Sequence, residues 1–102
     1  METTNKTSVQ NNKIIAEFMG CENPQAWEDD LYRYDWNWLM EVVMKIKASD
    51  FATLLENKSS IVFKECYDYE RKIELCFERE IITIEAVYNA CLEFIKWYNK
   101  QK

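Results

Sequence analysis

The chain has 102 residues, a net charge of −5, one glycine, one proline, four cysteines and no histidine, which suits one small acidic domain. The absent histidine excludes Ser-His-Asp and Cys-His nucleophiles and histidine-ligated metals, and a single glycine leaves no phosphate-cradling loop. The acidic balance repels phosphate backbones, so nucleic acid is an unfavourable partner.

Residues 1–11 are rich in Thr, Asn, Ser and Gln without periodicity, which predicts a disordered or frayed tail. They also lack the apolar stretch of a signal peptide, and no run in the chain approaches the length of a membrane span. Residues 12–102 read as a single α+β domain, expected in the cytoplasm. Asn11 or Asn12 is suited to cap a short helix from Lys13 to Met19. Ile14, Ile15, Phe18 and Met19 keep i, i+4 spacing there, and Gly20 supplies a left-handed exit.

Residues 21–35 read as a loop with a short helix in which Asn23 is the cap and Pro24 the first helical position. Glu28, Asp29, Asp30 and Asp35 load this region with carboxylates. They lack the spacing of a calcium loop, so solvated and helix-capping roles are expected and no metal site is. Asp35 then opens a helix running to about Lys47. Trp36, Leu39, Met40, Val43 and Ile46 share one face of it, while Trp38 falls opposite with Glu41 and Lys45.

After Ser49 the period changes. Phe51 to Leu55 suits a strand or a helical turn, with the strand preferred, Glu56 to Ser59 reads as a turn, and two further strands follow at about Ile61–Asp68 and Lys72–Glu78. Ile73, Leu75 and Phe77 alternate with Lys72, Glu74, Cys76 and Glu78. A three-residue loop, Tyr69-Glu70-Arg71, would join the pair, with Ile61, Phe63 and Tyr67 on the same face as Ile73, Leu75 and Phe77. Thr83 caps the last helix, Ile84 to about Lys100, with a stripe of Ile84, Val87, Tyr88, Cys91, Ile95 and Tyr98. The expected architecture is two N-terminal helices, a two- to three-stranded antiparallel meander and a long C-terminal helix.

Three blocks carry a resemblance. They are Asn12-Lys13-Ile14-Ile15-Ala16-Glu17-Phe18-Met19-Gly20, then Trp36-Asn37-Trp38-Leu39-Met40 with Val42 and Val43, and then Ile84-Glu85-Ala86-Val87-Tyr88 with Glu93-Phe94-Ile95-Lys96-Trp97-Tyr98-Asn99. Together they resemble a group of short proteins of Bacteroidetes and of the phages and prophages of those bacteria. Relatives often carry a longer region between the first two blocks and a proline where Glu41 stands here. The resemblance implies a phage or mobile-element setting and carries over no catalytic residue.

Two candidate binding surfaces emerge. Trp97 projects with Ala86 and Ala90 about 140° from the stripe of its helix, flanked by Phe94. Trp38 likewise stands off its own stripe. These residues suit either packing under loops or a contact with a second copy or a host protein, small alanines allowing close approach to a large anchor. Separately, Tyr67, Arg71 and Lys64 mix aromatic and basic groups in the region read as the hairpin, which suits a nucleotide ligand or ordinary cross-strand pairing. The four cysteines lack a histidine to activate them and read as buried, reduced thiols. No cofactor is expected. The resulting expectation is a non-enzymatic phage accessory protein that binds a host target, as an inhibitor of anti-phage defence. The alternatives are an oligomer that sequesters a nucleotide signal and a plain assembly module.

Overall fold

The computed structural model describes residues 5–48 and 60–101. Its helices are α1 (Asn5–Met19), α2 (Gln25–Glu28), α3 (Leu31–Tyr34), α4 (Trp36–Ala48), α5 (Ser60–Phe77) and α6 (Ile84–Lys100). No strand occurs among the described residues. The fold is therefore all-helical, and the α+β expectation with its antiparallel meander is overturned.

The correction falls on α5. Both expected strands, and the loop expected between them, are one continuous helix of 18 residues. Val62, Cys66, Tyr69, Ile73 and Cys76 are buried or half-buried, and their spacing of four, three, four and three is helical. The alternation at Ile73, Leu75 and Phe77 misled because Leu75 is an exposed apolar residue, 43% accessible, and not a core position. Ile61 and Tyr67 are likewise exposed. Tyr69-Glu70-Arg71 contains no glycine, proline or asparagine, so nothing there favours a turn over a helix. The strand read at 51–55 lies outside the described residues.

Helix α6 is the centre of the structure and touches α1, α3, α4 and α5. Thr83, in an extended conformation, caps it by accepting from the Ala86 N–H through Oγ1 at 3.3 Å. Val87, Tyr88, Ala90, Cys91, Leu92, Phe94, Ile95 and Trp97 are buried. At 100° per residue they span about 220° of the helix surface, far wider than one amphipathic stripe. Burying them contributes on the order of 10–15 kcal/mol before entropy is subtracted.

The N-terminal half assembles from local signals. Helix α1 begins at Asn5 and so includes residues 5–11, which the composition gave to a tail. It ends at Gly20, whose φ of +70° lets Cys21 N–H reach the Ala16 carbonyl at 2.9 Å and Gly20 N–H reach that of Glu17 at 3.2 Å. The Lys45 ammonium also donates to the Phe18 carbonyl at this end, where a cation complements the helix dipole. Asn23 Oδ1 accepts from Gln25 N–H at 3.0 Å, and Pro24 takes helical dihedrals at the start of α2. Asp35 Oδ1 accepts from Asn37 N–H at 2.9 Å, opening α4 as expected. Leu39, Val42, Val43 and Ile46 form the buried face of α4.

Candidate functional site

Asn12 is not a cap. It lies inside α1 and is wholly buried, in helical register with the buried Ile15 and Ala16. Its Nδ2 donates to the Asp30 carboxylate and to the Trp27 carbonyl at 3.4 Å, and its Oδ1 accepts from the Tyr88 hydroxyl at 2.8 Å. Asp30 sits at φ +55°, the left-handed region that a non-glycine residue seldom adopts. One buried side chain thus ties α1 to the α2–α3 junction and to α6. Burial, with Asp30 nearby, pushes the Tyr88 phenol up to about 12. A polar residue on the apolar face of a helical pattern was the sequence signal for this network.

The acidic cluster disperses into separate roles. Asp30 faces Asn12, Asp35 caps α4, and Glu28 and Asp29 are exposed. Among the described residues, no group of three or more carboxylate or thiol side chains is placed to hold a metal ion.

The surface expected at Trp97 is filled from within the chain. Helices α5 and α6 form an antiparallel pair, so Tyr69 stacks on the Trp97 indole with centroids 5.5 Å apart, and Phe94 tilts against it at 5.8 Å. The indole N–H donates to Glu65 Oε1 at 3.1 Å. Trp97 is only 7% exposed, and Phe94 and Ala90 are buried with it. Their offset from the first stripe of α6 is the signature of a second packing interface. Trp38 behaves similarly: it is half-buried, with its ring edge-on to Tyr32 at 5.5 Å. Tyr32 itself is buried, and that burial together with a hydrogen bond to Cys21 raises its pKa.

Two of the thiols, Cys66 and Cys91, are chemically quiet. Cys66, Cys76 and Cys91 are buried and Cys21 is half-buried, all in the free form. Burial first, and then the neighbouring Glu70, pushes the Cys66 thiol up to about 11; burial, with Cys76 nearby, pushes Cys91 up to about 12. A thiol held in its protonated form is a poor nucleophile.

Lys64, Tyr67 and Arg71 are brought together on the outward face of α5, opposite its buried residues. Tyr67 is 66% exposed, and Ile61, one turn before Lys64, is 68% exposed. The Arg71 guanidinium pairs with Glu78 at 3.0 Å and Glu74 at 3.6 Å. Beside Tyr67, a groove of about 160 Å³ runs between α4 and α5, lined by Ile46, Lys47, Glu70, Ile73 and Glu74. Two carboxylates in that lining oppose an anionic ligand.

A second groove, of about 250 Å³, lies between α5 and α6. Leu75, Cys76, Ala86 and Ala90 line it, with Lys72, Arg79, Asn89 and Glu93 around them. Lys72 reaches Glu93 at 3.6 Å. The two alanines expected to permit close approach therefore do leave open space, at the opposite end of the α5–α6 pair from Trp97.

Comparison with known protein families, with curated proteins and with solved structures gave no match. Among the described residues, no helix is long and apolar enough to cross a membrane.

Proposed function

We propose that this chain is a non-enzymatic binding protein of phage or prophage origin, acting in the bacterial cytoplasm by occupying a host protein of an anti-phage defence system. The outward face of α5 is its contact surface. One observation carries the binding reading: Ile61 and Tyr67 stand largely exposed on a helix that has already satisfied its own core contacts through the opposite face. Tyrosine and arginine are the residue types that most often anchor protein interfaces, and Tyr67 and Arg71 lie one turn apart. The three-block resemblance supports the phage setting, and the defence target follows from that setting.

The test pairs capture with infection. Tagged wild-type chain and a Tyr67→Ala/Arg71→Glu variant are each used to capture proteins from a host lysate. The variant is checked for unchanged helical circular dichroism. The expected result is one host protein retained by the wild type and lost at least ~30-fold by the variant, as for a hot-spot pair. In a host carrying that protein, expression of the wild type raises phage plating efficiency and the variant does not. Equal capture by both chains, or plating unaffected by the wild type, overturns the proposal.

A further inference from the structure

The α5–α6 end of the molecule carries two complementary features within one short stretch of chain. The first is a projection. Between the end of α5 and the start of α6, Ile81 is 76% exposed and Ile82 43% exposed, and Glu80 is exposed beside them. Isoleucine has no polar group to gain from water, and two adjacent exposed isoleucines form an apolar knob unusual on a monomer's surface. The second is the groove already described, whose apolar lining is Leu75, Cys76, Ala86 and Ala90. Leu75 adds another 43% exposed side chain. Arg79 stands at the groove immediately before Glu80 in the chain.

We propose that this end is a self-association surface, in which Ile81 and Ile82 of one copy pack into the Leu75–Ala86–Ala90 groove of a second copy. Because each copy holds both the knob and the groove, a two-fold axis makes both contacts at once, as an isologous interface requires. The charges fit the same arrangement. Glu80 precedes Ile81, so seating the isoleucine in the partner copy's groove carries the carboxylate to the guanidinium at that groove's rim, twice over. Among the described residues Arg79 makes no ion pair within its own chain, whereas Lys72 is already engaged by Glu93. Alanines at two successive turns of α6 leave the clearance that a branched side chain needs. The expected association is a reversible dimer with a dissociation constant on the order of 10–100 µM.

Sedimentation equilibrium across that concentration range reads the outcome directly. The expected mass rises from the 12.3 kDa of one chain towards twice that value. Ile81→Glu lies in the exposed connection, so its circular dichroism and melting temperature stay at the wild-type values while its dimer weakens at least ~10-fold. Arg79→Glu and Glu80→Arg each weaken the dimer, and combining them restores it, because the exchanged charges again face each other. A wild-type mass that stays at one chain throughout, a dimer indifferent to Ile81→Glu, or a charge exchange that fails to restore association overturns the proposal.

Discussion

Replacing Asn12 by leucine isolates the cost of the buried network. The two side chains are similar in size, so the substitution opens little cavity and chiefly removes hydrogen bonds. Asn12 is fully buried, and its loss leaves the Tyr88 hydroxyl, 2.8 Å away, without an acceptor in a site where the tyrosine is 5% exposed. A buried group stripped of its partner costs about 1–3 kcal/mol. The Asp30 carboxylate also loses a donor, but it is half-buried and recovers part of that loss from water. Leucine returns roughly 1 kcal/mol through its own burial. The net destabilisation is about 2 kcal/mol, a large share of the ~5–15 kcal/mol typical of a domain. Thermal unfolding followed by circular dichroism should show a fall of about 8–16 °C. Tyr88→Phe alone should cost about 1 kcal/mol, and the double variant should cost less than the two singles together, because the stranded hydroxyl is then gone. If Asn12→Leu stays within ~0.5 kcal/mol of the wild type, the network is not a determinant of stability and the reasoning fails.

Three further outcomes are expected. The folded-state pKa values of Cys66, Cys91 and Tyr88 are raised to about 11, 12 and 12 from ordinary values of 9.0, 9.0 and 10.0. Their contribution is complete below about pH 9 and is lost as pH rises towards 12, because the unfolded chain releases these protons first; urea midpoints that stay flat to pH 11 would contradict this. Trp97→Ala should destabilise by about 3–5 kcal/mol through the cavity it opens between α5 and α6, with the assembled mass unchanged in light scattering; a lowered mass with stability retained would return Trp97 to an intermolecular role. Arg71→Pro should cost about 3 kcal/mol or more, because it interrupts α5, and a variant as stable as the wild type in chemical denaturation would fit the turn read at that position instead.

Local signals in the sequence located four helix ends, though not the start of α1 or either end of α5. Gly20, Asn23-Pro24, Asp35 and Thr83 each do what their side chain or backbone freedom allows. Leu39, Val43 and Ile46 of α4 and Val87, Tyr88, Cys91 and Ile95 of α6 were legible as apolar residues at helical spacing, whereas the buried Val42 was missed and Trp36, expected beside them, is exposed. Two places were not legible. In α5 the apolar residues fit both periods over short windows, and only the longer Val62–Cys66–Tyr69–Ile73–Cys76 series distinguishes them. In α6 the residues off the main stripe belong to a second interface, and no single-face pattern shows that a helix will be enclosed on two sides. Of the candidate surface, Lys64, Tyr67 and Arg71 do share one exposed face, but on a helix and not on a sheet. The α5–α6 groove depends on Leu75 and Cys76 lying on a helix packed against α6, which a strand pattern does not show.

The central position of α6 has a consequence for how the chain is made. A ribosome delivers α1 to α5 before the helix on which α1, α3, α4 and α5 all pack. Until Tyr88 emerges, Asn12, 76 residues earlier, has no donor for its buried carbonyl oxygen. Order of synthesis and order of assembly therefore run in opposite directions. During the about 1–3 s needed to add the 17 residues of α6 at ribosomal rates, the apolar faces of the earlier helices are open to chaperones. Slowing translation within α6 should lengthen that exposure, whereas slowing it within α1 should not.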